Sequence, residues 1–351
     1  MGVTLLAGLV FGVLVPVREG FDQVAWAGLA PGAAYAARIG VLAVWAALGF
    51  AAIRVYPFAK WGMAGLLLLP TFILPAVYPL PAVIQAGGTA LLLATVLNLR
   101  AHPAGRRLRW WEAYALVVLA GAVSIVRPSG ALLGLLILAV PAARLGRLGQ
   151  RGSLSRISAA WPVKAIPLGL GVWTLVRWWQ AVDLSPGGQL DFMLHHPGFA
   201  LGVLPRYIWS QAAGVHSTLA QLSPAAGLPN LAIFGIFLAV AVYSCCSSKA
   251  LPKAPGRAWL LLLALAYFAA VGYAAYIDAT EVASRSIFGI DGADQLVVLI
   301  LLLPLCQGAG RLRRQVYLGI VRYMPLLLLA ATLLTLLTTY TTSILTRVLT
   351  P

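Results

Sequence analysis

Long apolar runs separated by short polar connections repeat along the whole chain. They cover residues 3–17, 39–55, 62–77, 82–99, 114–126, 130–143, 159–179, 231–246, 258–276, 296–306 and 324–344, and leucine, alanine and valine dominate them. An α-helix needs about 20 apolar residues to cross a bilayer core of about 30 Å. A transmembrane barrel strand alternates apolar and polar residues instead, and these runs do not. The pattern predicts an all-α fold, a polytopic transmembrane helical bundle of about eleven spans forming one membrane domain over residues 1–351.

The connections carry further structure. The runs at 62–77 and 82–99 form a hairpin predicted to turn at Tyr78-Pro79-Leu80-Pro81, and those at 114–126 and 130–143 turn at Arg127-Pro128-Ser129-Gly130. The longest connection, residues 180–229, contains a semi-apolar stretch at 199–222 with Tyr207 and Trp209. Such a stretch predicts an amphipathic helix lying on the membrane surface. Trp110 and Trp111 close a basic loop, where interfacial indoles belong. Residues 1–17 lack a basic start and a small-residue cleavage site, so they read as a first span, not a cleaved signal. No period of 20–50 residues recurs.

Composition sharpens the class. The chain is 61% apolar and only 10% charged, whereas soluble domains carry about 25% charged residues. Its net charge of +16 does not imply nucleic acid, because its distribution has another cause. Of 25 basic residues, 18 fall in one set of alternating connections with Glu112 as the sole acid. The other set holds seven arginines and the eight remaining acids: Glu19, Asp22, Asp183, Asp191, Asp278, Glu281, Asp291 and Asp294. Basic residues retained in short loops mark the cytoplasmic side, so the amino terminus is predicted inside and the acids outside. Cys245, Cys246 and Cys306 offer no disulfide framework.

Candidate chemistry therefore lies on the outer face. Arg18, Glu19 and Asp22 follow the first run. A carboxylate there can deprotonate a hydroxyl nucleophile, or it can simply solvate a loop. The outer basic residues are all arginine, including Arg38, Arg127, Arg177, Arg206 and Arg285. Arginine grips phosphate bidentately, or it snorkels to the interface beside acids. His195-His196 beside Asp191 is a poor metal site because adjacent side chains diverge. The late acids Asp278, Glu281, Asp291 and Asp294 lack a cation-loop signature. No phosphate-binding glycine loop, zinc spacing or catalytic triad is present, and no metal or cofactor is expected.

The segments Ala37-Arg38-Ile39, Leu69-Pro70-Thr71, Val126-Arg127-Pro128-Ser129, His196-Pro197 and Ile287-Phe288-Gly289 follow one another in an order that resembles the bacterial domain-of-unknown-function family 2142, its actinobacterial branch above all. The likeness covers nearly the whole chain and marks it as a diverged member. The family is grouped with GT-C glycosyltransferases. The resemblance implies a GT-C-like fold, a bacterial plasma-membrane location and a polyprenyl-phosphate-linked sugar donor used at the outer face. It implies Glu19, with Asp22 beside it, as the base, since Arg18-Glu19-Gly20 stands where the family has Asp-Glu-Pro. The donor phosphate would then meet Arg18, Arg38, Arg127, Arg206 and Arg285. Departures are clear: the family's first acid is Arg18 here, and its Gln-Gly-Arg-Tyr pattern reads Asp291-Gly292-Ala293-Asp294. Two other readings stay open. One is a non-catalytic subunit that scaffolds a cell-envelope polymer assembly complex through a protein partner. The other is a transporter or lipid flippase, which the absence of paired charges in the middle of any predicted span argues against.

Overall fold

The computed structural model describes residues 31–57, 60–68, 80–102, 108–141, 144–145, 160–182, 188–213, 254–285 and 292–307, with 239, 243, 287 and 323 singly. The predicted spans at 3–17 and 324–344, and that at 231–246 apart from residues 239 and 243, lie outside the described residues. Within them the fold is all-α. The helices are α1 (Pro31–Val55), α2 (Lys60–Leu67), α3 (Leu80–Ala101), α4 (Trp110–Val126), α5 (Gly130–Leu133), α6 (Ala160–Ala181), α7 (Gln189–His195), α8 (Pro197–Ala213), α9 (Ala254–Ala279) and α10 (Gly292–Leu302). Short 3₁₀ helices at Gly134–Ala139 and Leu303–Cys306 continue α5 and α10. Two helices are long and apolar enough to cross a membrane, Leu80–Ala101 and Pro255–Ala279.

These helices group into two compact units. In the first, α3 lies between α1 and α4, and α6 packs on α4 and on the α5 hairpin arm. The Gly87-Gly88 pair in α3 makes this possible. A Cβ on Gly87 would lie 3.1 Å from Leu48 of α1, and one on Gly88 would lie 2.7 Å from Val123 of α4. Small residues at such contacts let helix backbones approach closely. In the second unit α9 carries α7, α8 and α10, and α2 packs on α10. The predicted hairpin of runs 62–77 and 82–99 is thus divided, with α2 in the second unit and α3 in the first.

Helix starts differ from the predicted ones for local reasons. Leu80 and Pro81 belong to the first turn of α3, not to a turn before it. Proline is accommodated there because an initial N–H has no intrahelical acceptor. α1 begins at Pro31 and runs through an alanine-rich stretch, reaching further back than the run at 39–55. α4 begins at Trp110, ahead of the run at 114–126, because Glu112 accepts the Arg109 backbone N–H at 2.7 Å. A carboxylate three residues into a helix satisfies an orphan donor there, which accounts for the lone acid on the basic side.

The turn at Arg127–Gly130 is also tightly constrained. Backbone N–H groups of Gly130 and Ala131 donate to Arg127 and Pro128 carbonyls at 2.9 and 3.2 Å. A Cβ on Gly130 would fall 2.2 Å from the Val123 carbonyl oxygen, which is backbone and cannot swing aside. Gly130→Ala is therefore expected to destabilise the protein by about 1–3 kcal/mol through overpacking. A lowered melting temperature of the detergent-solubilised variant, against Gly169→Ala, where nothing lies near the added Cβ, checks it.

Candidate functional site

Each unit contains a place where a helix stops short of its neighbours and polar groups gather at the break. In the first unit this is the Arg127–Gly130 turn. Gln85 of α3 donates from Nε2 to Ser129 Oγ at 3.2 Å, and both residues are buried. Gln85 lies five residues inside α3, so α3 rises about 7–8 Å above this contact at 1.5 Å per residue. On the other side, a Cβ on Gly171 would lie 3.3 Å from Ala131. Ten further residues of α6 follow Gly171, projecting about 15 Å beyond it. The turn is thus sunk below the ends of both flanking helices. Arg127 stands at it half-buried, with an extended backbone that ends α4. The projecting part of α6 exposes Trp173, Val176, Arg177 and Trp179.

In the second unit the break lies between α9 and α10. Asp294, in the first turn of α10, is only 4% exposed and accepts a 2.9 Å hydrogen bond from Tyr267 Oη, itself fully buried. Tyr267 sits at the midpoint of α9. Gln295 Nε2 donates to Tyr207 Oη of α8 at 3.5 Å. Above this cluster Tyr207, Val203, Tyr276 and Ile287 form an apolar core.

The helix α8 corresponds to the predicted surface helix at 199–222, but its contacts step along α9. Ala200 accepts from Tyr273 Oη at 3.4 Å, Leu204 packs on Gly272, and the Tyr207 ring lies 6.3 Å from Phe268. It therefore runs beside the C-terminal half of α9, from the level of Tyr273 to that of Phe268.

The sequence-predicted residues distribute as follows. Arg18, Glu19 and Asp22 lie outside the described residues, and Arg38 is on α1 with its side chain outside them. Arg127 stands at the sunken turn of the first unit. Arg206 and Arg285 are exposed on the second, Arg206 lying 5.4 Å over the Phe199 ring, a cation–π contact. His195 turns to Asp191 at 3.2 Å, whereas His196 stacks on Phe192 at 4.5 Å, so the adjacent imidazoles do diverge. The late acids separate: Asp278 and Glu281 are exposed and Asp294 is buried, with Asp291 outside the described residues. Tyr267 and the burial of Asp294 went unread in the sequence. The available signal was the run at 296–306, too short to cross a bilayer as a regular helix.

The backbone between α9 and α10 is held by side chains. Tyr276 Oη donates to the Ser284 carbonyl at 2.9 Å, and Gln189 Oε1 accepts from Ala283 N–H at 3.3 Å. Ala283 has φ of 63°, a left-handed conformation costing an L-residue about 1–2 kcal/mol. Gln189 is buried, and its Nε2 has no hydrogen-bond partner among the described residues.

Comparison with protein-family profiles, with curated proteins and with solved structures finds no match for this chain.

Two substitutions should move stability in opposite directions. Ala283→Gly relieves the left-handed strain and should stabilise by about 0.5–1 kcal/mol. Tyr267→Phe removes the donor to a buried carboxyl and should cost about 1–3 kcal/mol. Thermal unfolding of the two variants in one detergent checks both signs.

Proposed function

We propose that the chain is a diverged GT-C-like glycosyltransferase of about eleven spans in the bacterial plasma membrane, related to the family it resembles. Its exterior supports a bilayer setting. Phe50, Ile166, Val172, Leu262 and Leu265 are large apolar side chains more than half exposed, an outer surface that water would penalise and lipid would not. Trp161 and Trp179, near opposite ends of α6, suit the two interfacial belts.

The observation that carries the proposal is the sunken Arg127 turn. A guanidinium below the ends of its neighbouring helices, with a long stem able to rise to headgroup level, suits the phosphate of a lipid-linked sugar. Arg206, Arg285, Arg38 and Arg18 are further candidates for that phosphate. In the reaction, Glu19 takes the proton of an acceptor hydroxyl, whose oxygen bonds to the anomeric carbon. The bond from that carbon to the phosphate oxygen breaks, and the polyprenyl phosphate leaves with the electron pair, its charge met by arginine. Asp22 stands beside Glu19 in the sequence.

A transport reading, of a substrate or a lipid, draws on a different observation. Asp294 of α10 is an acid buried against the midpoint of the candidate span α9, which the apolar runs alone did not reveal. Substrate-dependent flux in proteoliposomes with no sugar transfer would favour it.

Glu19→Gln should abolish transfer from a polyprenyl-phosphate sugar in proteoliposomes while leaving donor binding within about twofold. Arg127→Ala should weaken donor binding by about 1.5–3 kcal/mol, the scale of a hydrogen bond to a charged group, and Arg127→Lys should recover part of it. Undiminished transfer by the Glu19 variant overturns the assignment.

A further inference from the structure

The chain leaving α9 turns back along it, and the described residues mark the descent. Ser284 is held by Tyr276, Ile287 lies against Gly272 and Tyr276, and Asp294 is held by Tyr267. Along α9 those levels fall by about 6 Å and then about 7–8 Å. α10 starts only at the third level. It and its 3₁₀ continuation then accompany the remaining half of α9, ending where Arg257 Nη2 donates to the Gln307 carbonyl at 2.5 Å. Ala283 and Ile287 are not helical. If α9 crosses the membrane, as its length and apolarity allow, the described part of α10 begins beside its midpoint, and the backbone at Ile287 above it is not helical.

Irregular backbone at bilayer depth persists only where protein buries it or where it lines an aqueous path. Half-helices of this kind hold polar sites near the midplane, and a carboxyl at that depth marks an ion or proton path. Here both features coincide at Asp294. The buried Gln189 amide, whose Nε2 has no partner among the described residues, adds a polar group beside the descending segment at Ala283.

We propose that Asp294 is a proton-exchanging carboxyl inside the membrane domain, reached from the side on which α9 ends at Ala279. The exchange is simple: a proton from water binds one Asp294 oxygen while Tyr267 continues to donate to the carboxyl, and leaves by the same route. Tyr267 from α9 donates to Asp294, and Tyr207 from α8 is joined to its neighbour Gln295. α2, packed on α10, is apolar except for Lys60 at its exposed start. The proposal needs neither Glu19 nor a sugar donor, so it stands or falls separately from the transferase reading.

The test uses the full chain in right-side-out proteoliposomes. Dicyclohexylcarbodiimide adds only to a protonated carboxyl from within the apolar phase, and peptide mass spectrometry maps the adduct. An adduct at residue 294 whose yield falls several-fold as the external pH is raised is the expected result. Asp294→Asn should lose the adduct, Asp294→Glu should keep it, and Tyr267→Phe should shift the pH at which labelling halves. A water-soluble carbodiimide should meanwhile label the exposed Asp278 and Glu281 in every protein, reporting a common fold. No adduct at residue 294 at any pH while those acids react, or an adduct indifferent to external pH, overturns the proposal. The wild-type arm alone decides this if the asparagine variant fails to fold.

Discussion

A backbone that leaves the helical ladder where water is scarce must find its hydrogen bonds in side chains, and this requirement shapes both units. Several of the described helix ends have such a partner. Lys164 donates to the Leu138 carbonyl near the end of the 3₁₀ turn after α5, at 3.2 Å. Arg257 does the same for Gln307 after α10. Tyr276 and Gln189 serve the segment after α9, and Glu112 serves the start of α4. An unmet buried backbone group would cost about 1–3 kcal/mol each time. Some of the polar residues in this apolar chain therefore lie where helices stop. The same residues make the stops chemically interesting, since an arginine, a carboxyl and several hydroxyls collect there.

Much of the fold was legible because it depends on apolar length. The runs at 82–99, 159–179 and 258–276 return as α3, α6 and α9 with a few residues added at their ends. The close contact at Gly87-Gly88 follows from the sequence too, because absence of a side chain has one packing consequence in an apolar bundle. The hairpin turn at Arg127–Gly130 was legible too, from Pro128 and Gly130. What escaped was depth. Hydropathy reports that residues 130–139 and 296–306 are apolar; it does not report that the helices there begin well inside their neighbours. Their length was the clue, since the runs at 130–143 and 296–306 are both shorter than the 22 residues of α3 or α6.

The candidate chemistry was legible only in part for the same reason. Counting charges grouped Asp294 with Asp278 and Glu281 as outer-loop acids, because all three precede an apolar run. The contacts divide them: two are exposed and one is buried against the middle of α9. The helix predicted within residues 199–222 returns as α8 over its described part, and its composition leaves its setting open. A semi-apolar helix has the same composition whether it rests on lipid or on a neighbouring helix, and α8 rests on α9 through Leu204 and Tyr207. Arg127 was singled out as an arginine at a predicted turn, but its position below the helix ends is a property of α3 and α6, which no local motif records.

The account depends on these breaks lying within the lipid layer instead of at its surface. Electron cryomicroscopy of the protein in lipid nanodiscs measures this directly, because the headgroup density fixes both membrane planes. The account predicts Asp294 near the middle of the hydrocarbon layer, and Ser129 within it, below the headgroup plane reached by the end of α6. Finding Asp294 and Ser129 both at headgroup level, with α10 and α4 as long as their neighbours, would contradict it.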